Sequence, residues 1–173
     1  MNYLAKTFLL LIAMSLGACT TLTSDIKTET QVAADADFSV YRTYAWAGSA
    51  KVVFDPVGQW EQPTLDTDEE VRFLINRELR ARNFVQVDTE PDLLVAFAAG
   101  IDTTALDLKD DPNSNDPVLT TVPKAALVVA MVDVKTGYII WLGYATGDVQ
   151  EQLSIEQIRA RIDYAVSEIF KPL

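Results

Sequence analysis

Cys19, in the stretch MSLGACTTL of residues 14–22, is the only cysteine of the chain, and there is no histidine. A thiolate is the strongest nucleophile among small side chains, but a lone one cannot form an internal disulfide. Without histidine the usual zinc ligands and every Ser-His or Cys-His catalytic arrangement are missing. Carboxylates remain. In the segment 102–124, Asp111, Asn113 and Asn115 stand at positions 1, 3 and 5 of a calcium loop. Asp116 stands where glycine is needed and Val122 where a bidentate glutamate is needed, and Pro112 and Pro117 stiffen the loop. Asp107, Asp110 and Asp111 could supply an acid/base pair, but an exposed loop fixes neither their separation nor a raised pKa. A solvated turn rich in Asn, Asp and Pro explains the segment as well. A Ser-Lys dyad is formally available, though no serine sits in a recognisable nucleophile motif. Trp46, Trp60 and Trp141 could make a binding platform. Trp46 and Trp141 fall in strands and are expected in the core, which leaves Trp60, between Gly58 and Pro63, as the exposed one. The expectation is no catalytic residue, no metal and no cofactor.

The elements that place Cys19 are at the N-terminus. Lys6 precedes an apolar run, Phe8 to Met14, followed by Ser15, Leu16, Gly17 and Ala18. A charged start, an apolar core of about ten residues and a small-residue exit describe an export signal. The run is too short for a membrane-spanning helix, which needs about 20 apolar residues. Leu16-Gly17-Ala18-Cys19 resembles a bacterial lipobox. The resemblance implies diacylglycerol transfer to the Cys19 thiol, cleavage between Ala18 and Cys19, and acylation of the new amine. Several acyl chains, at about 0.8 kcal/mol per methylene, hold where one would not. The alternative is an ordinary secretory signal with Cys19 there by chance. Thr20, rather than aspartate, follows the cysteine, and the resemblance then implies sorting to the outer membrane.

The chain has 173 residues, 49% of them hydrophobic, enough for one domain with a proper core. Its 14 cations against 25 acids repel phosphate backbones, so nucleic acid is not an expected partner. Residues 19–37 read as a flexible, lipidated tether, polar and rich in threonine. Residues 20–37 would span roughly 25 Å as a coil. The domain proper is expected over 38–173.

Within it, Phe38 to Trp46 alternates as a strand with Phe38, Val40, Tyr44 and Trp46 on one face. Residues 47–65 read as irregular. A capping box, Thr67-x-x-Glu70, opens a first helix whose Val71, Leu74, Ile75 and Leu79 recur at helical spacing. Acids crowd its first turn and Arg77, Arg80 and Arg82 its last, with Asn83 suited to the left-handed stop. The arginines, Arg72 included, read as a solvated face, with anionic lipid as the alternative partner. Strands are expected at 84–87, 93–99, 126–132 and 138–145, the last two joined by a turn at 133–137 where Gly137 supplies positive φ. Gly143 is read as a bulge. A second capping box, Ser154-x-x-Gln157, opens a helix with Ile155, Ile158, Ile162, Ala165, Val166 and Ile169 on its apolar side. The expected fold is α+β, a two-layer sandwich with about five mostly antiparallel strands and both helices on one face.

These blocks, carried by Phe38-x-x-Tyr41-x-Thr43-Tyr44-x-Trp46, Ile75-x-x-x-Leu79 leading to Phe84, Asp92-Leu93-Leu94-Val95, Asp133-x-x-Thr136-Gly137 and Trp141-x-Gly143-x-Ala145, resemble the bacterial lipoprotein family of domain of unknown function 4136. Asn83 stands where that family usually has glycine, and Leu142 where it has a polar or basic residue. The resemblance implies an envelope lipoprotein without assigned activity, so no functional residue carries over. The expected function is a non-catalytic lipoprotein, held at the membrane through lipid on Cys19 and facing the periplasm or the cell surface. Its domain would bind another envelope component, with 47–65 and 102–124 as the contact segments. A small-ligand or calcium-binding module is the alternative, and an envelope hydrolase the third reading.

Overall fold

A computed structural model of the chain describes residues 22–56, 58, 65–110, 117–121, 123–150 and 152–173, with backbone alone for 106–110 and 117–121. Its strands are β1 (Lys27–Val32), β2 (Thr43–Phe54), β3 (Val85–Gln86), β4 (Leu93–Asp102), β5 (Leu106–Asp110), β6 (Pro117–Thr121), β7 (Lys124–Asp133) and β8 (Ile139–Asp148). The helices are α1 (Thr67–Ala81) and α2 (Ile155–Phe170). Six strands form one sheet in the order β1-β8-β7-β4-β2-β3, while β5 and β6 pair separately as an antiparallel hairpin. Within the large sheet, β1–β8, β8–β7 and β7–β4 are antiparallel, and β4–β2 and β2–β3 parallel. The fold is α+β with both helices on one face, as expected, and the α1 crossover between β2 and β4 makes the sheet mixed.

Alternation builds the core. Leu93, Val95 and Phe97 of β4, Leu127, Val129 and Met131 of β7 and Trp141 and Ala145 of β8 are buried beneath the helices. Val71, Leu74, Ile75 and Leu79 of α1 meet them, together with Ala165, Val166, Ile169 and Phe170 of α2. Burying such side chains is worth about 1.5–3 kcal/mol each.

Both helix ends follow local chemistry. At Ser154 both halves of the capping box form with Gln157. At α1 the cap is Asp66, one residue before the expected Thr67, and its carboxylate accepts from the amides of Asp68 and Glu69, both at 3.1 Å. Either residue type can cap, and the chain turns at the carboxylate. Asn83 ends α1 at φ 66°, while the Asn83 amide bonds the Arg80 carbonyl and the Phe84 amide that of Leu79, each at 3.0 Å. This is the Schellman arrangement, in which glycine is the commonest residue.

Four local expectations change. Residues 27–32, expected within the tether, form β1. Phe38–Val40 is a 3₁₀ turn, so the strand that follows starts at Thr43 and runs on to Phe54 through residues expected to be irregular. A register shift between Trp46 and Gly48 breaks its alternation. The segment 102–124 contains the β5–β6 hairpin. Gly143 is not the bulge: Met131 pairs with Trp141 and Val132 with Ile139, so the extra residue is Ile140. Gly143 answers a close approach instead. A Cβ there would lie 2.5 Å from the Cη2 of Trp141.

Candidate functional site

The two ends of the sandwich differ in chemistry. At one end polar side chains lock strands together. The Asp92 carboxylate accepts from the amides of Arg42 and Thr43 and from the Thr43 hydroxyl, each at 2.9 Å. These bonds, the Arg42 and Thr43 amides first, hold its pKa below the ordinary value. Asp133 accepts from the Lys135 amide at 2.7 Å and the Tyr41 hydroxyl at 3.0 Å. Burial opposes its charge, and the bonds from Lys135, Tyr41 and Thr136 outweigh burial and lower its pKa. Gly137, at φ 74°, then closes the β7–β8 turn. Each carboxylate here is committed to holding backbone in place.

At the other end, where both helices begin, the layers part. An apolar cavity of about 230 Å³ opens between Val53, Ala99, Ile101 and Ala145 of the sheet and Ile158 and Ile162 of α2. Small side chains make the space: Ala99, Ala125, Ala145 and Gly147 line it where larger ones would fill it. The N-terminal segment enters beside it. Arg161, on the rim, donates to the Asp25 carboxylate through both terminal nitrogens, at 2.8 and 2.7 Å, to the Asp148 carbonyl at 2.9 Å, and to the Leu22 carbonyl. The Arg161 bond leads the causes that lower the Asp25 pKa to about 2, against burial that raises it.

Two surfaces are unfilled among the described residues. The face of the sheet away from the helices presents Ala96, Ala98, Ala130, Val132 and Leu142, half-buried, with Val128 exposed. The outer edge of β2 has strand partners in β3 for Thr43 and Tyr44 only. From Ala47 to Phe54 that strand is exposed throughout, with Val52 at 57%, Val53 at 47% and Phe54 at 56%.

The candidates from sequence are distributed as follows. Ala18, Cys19, Trp60, Asp111, Asn113, Asn115, Asp116 and Val122 lie outside the described residues, and Asp107 and Asp110 fall on β5. Among the described residues no three Asp, Glu, His or Cys side chains gather to hold a metal, and no helix is long and apolar enough to cross a membrane. Trp141 is fully buried beside Phe170, their rings 4.9 Å apart. Trp46 is half-buried, donates to Asn76 at 3.2 Å and carries the Arg72 guanidinium 4.4 Å from its ring centre, so that face is taken. Nor do the other arginines form a free basic face. Arg77 pairs with Asp163 of α2 at 2.6 Å, joining the helices, and with Glu78 at 2.7 Å, while Arg82 pairs with Glu78 at 2.8 Å. Asp163, foremost, raises the Arg77 pKa. Sequence reasoning misses the cavity, the Arg161–Asp25 pair and the β2 edge. The one local signal is Val52-Val53-Phe54, an apolar triplet inside a polar stretch.

A family model described as a domain of unknown function, DUF4136, matches residues 28–172. The chain belongs to the DUF4136 family. No curated protein matches it. Among solved structures, a DUF4136 family protein from Bacteroides thetaiotaomicron VPI-5482 is similar at a TM-score of 0.56 and 14% identity, over 86% of this chain and 95% of that one. That likeness concerns the fold. A PelC dodecamer from Paraburkholderia phytofirmans reaches 0.48 at 11% identity, over 85% and 98% of the two chains. A minor lipoprotein from Acinetobacter baumannii reaches 0.38 at 12%, over 76% and 91%. The residues by which the sequence resembles DUF4136 now have physical roles. Tyr41, Thr43, Asp92, Asp133 and Gly137 make the polar end, and Trp141 and Gly143 fit one another, while Asn83, a departure from the family pattern, takes the left-handed position where glycine is usual. These are roles in the fold.

Proposed function

We propose that this DUF4136 protein is a non-catalytic, lipid-anchored envelope lipoprotein that docks a strand of another envelope protein along the outer edge of β2. Diacylglycerol on Cys19, after cleavage behind Ala18, provides the anchor, and Thr20 directs it to the outer membrane with the domain facing the periplasm. The observation that carries the reading is β2 itself. From Ala47 to Phe54 its edge away from β4 offers backbone donors and acceptors with no strand beside them among the described residues, and Val52, Val53 and Phe54 stand exposed. An exposed edge ending in an apolar triplet invites an added strand, and Lys51 is the one charge on it. The carboxylates near Tyr41 and beside Arg161 are engaged in structure, which supports a binding role over hydrolysis.

The test is in-cell crosslinking of the tagged, lipidated protein, followed by mass spectrometry, with Val52→Lys and Phe54→Lys as the comparison. The expected result is one envelope protein captured by the natural chain and lost from both variants, which stay folded by circular dichroism. Capture of porins alone, unchanged in the variants, overturns the reading; so does a crosslinked species of two copies of this chain. A small apolar ligand is the second reading, favoured by the cavity at the end where the helices begin.

A further inference from the structure

The chain enters its domain at the cavity. Asp25 and Leu22 are clamped by Arg161, which lines the cavity together with Ile26. Cys19 is three residues before Leu22, and at 3.3–3.6 Å per extended residue the chain between them can span at most about 11 Å. The reach expected of a long tether is absent, since β1 and the clamp absorb it. Any lipid on Cys19 therefore begins beside the rim of an apolar hole.

We propose that the cavity houses part of one fatty-acyl chain of the lipid carried on Cys19 of the same polypeptide. The proposal rests on the anchor reading above and adds where one of the chains goes. The chemistry fits. Where roughly 150 Å³ suffices for a dry cavity to take up a six-carbon benzene, about 230 Å³ takes roughly nine chain carbons and leaves the rest of the chain outside. Its walls are the side chains of Val53, Val71, Ile101, Leu127, Ile158 and Ile162, with the polar Arg161 turned to the rim by Asp25. Moving an acyl chain from the bilayer interior into such walls exchanges one apolar surrounding for another, so little opposes it. The remaining chains stay in the membrane, and the end of the domain where both helices begin is drawn down onto it.

The test uses the lipidated protein in its membrane, with p-benzoyl-phenylalanine introduced at Ile162, at Ile158 as a second cavity position, and at Val128 on the opposite face. After irradiation and digestion, mass spectrometry reads what each position has captured. The expected result is a link from position 162 or 158 to an acyl chain of the protein's own N-terminal lipopeptide, an order of magnitude or more above position 128. A phospholipid adduct at both cavity positions overturns the assignment in favour of a lipid taken from the membrane. An acylated Cys19 with no acyl link at either position overturns it too, and leaves the anchor reading standing. An unacylated Cys19 in the same spectra refutes the anchor and the proposal together.

Discussion

Replacing Gly143 with alanine should damage this domain more than its single methyl group suggests. On backbone grounds alone the change is favourable, because glycine in a strand carries excess unfolded-state freedom worth roughly 0.5–1 kcal/mol. Space decides otherwise. The new Cβ would stand 2.5 Å from Cη2 and 3.0 Å from Cζ2 of Trp141, and 3.2 Å from the Cβ of Ile169. Trp141 cannot retreat: it is fully buried, with the Phe170 ring 4.9 Å away. Overpacking of this kind costs about 1–3 kcal/mol, and the rigid indole places Gly143→Ala near the upper end, about 3 kcal/mol. Urea unfolding followed by far-ultraviolet circular dichroism measures it directly. The decisive comparison is made in a Trp141→Phe background, where the outer indole ring is gone. There the same substitution should cost less than about 1 kcal/mol, a coupling of about 2 kcal/mol between the two positions. If Gly143→Ala is within about 0.5 kcal/mol of the natural protein, or costs the same in both backgrounds, the packing argument is wrong.

Arg161→Ala should free the segment 22–25, seen as faster amide exchange there, with the rest of the sheet unchanged. The same pair gives a pH dependence. Asp25 titrates at about 2 in the fold against its ordinary 3.8, so its contribution is present above pH 4 and lost as pH falls toward 2. Allowing for solvent screening, that loss is on the order of 1 kcal/mol, and an Arg161→Ala protein showing the same acid loss would contradict it. Asn83→Gly should stabilise by about 0.5–1 kcal/mol and Asn83→Ala destabilise by a similar amount, checked by denaturant midpoints, since φ is 66° there. Asp92→Ala strips the partner from two amides and the Thr43 hydroxyl, and should cost about 2 kcal/mol in the same assay.

Much of the fold is legible because its signals are local. The spacing of Val71, Leu74, Ile75 and Leu79 names the buried side of α1 correctly, and Ser154 with Gln157 marks where α2 starts. The apolar run from Leu93 identifies an inner strand of the sheet. What is hidden depends on distant partners. Lys27–Val32 reads as KTETQV, polar enough for a tether. It is an edge strand whose outward residues meet solvent and whose Thr30 hydroxyl donates to the Ile169 carbonyl at 3.0 Å. Composition cannot tell such an edge from a coil. The shift between Trp46 and Gly48 disguises the far half of β2 in the same way, because a single irregular residue resets the alternation. The cavity is less visible still. Alanines and glycines from β4, β7 and β8 look like ordinary small residues until pairing sets them side by side.

The seam between β1 and β8 bears on how the chain comes to be folded. Lys27 pairs with Thr146 and Val32 with Trp141, and Thr30 reaches a carbonyl 139 residues away. An early-made strand must therefore wait for the last hairpin and the final helix before it has anything to join. Until then Thr43–Phe54 and Leu93–Asp102 can already pair with one another, but the first segment stays loose. A ribosome still holding the last strand and the final helix would keep this end of the molecule open. For as long as that lasts, residues 22–32 are open to any protease present, and the closing of the seam ends its opportunity.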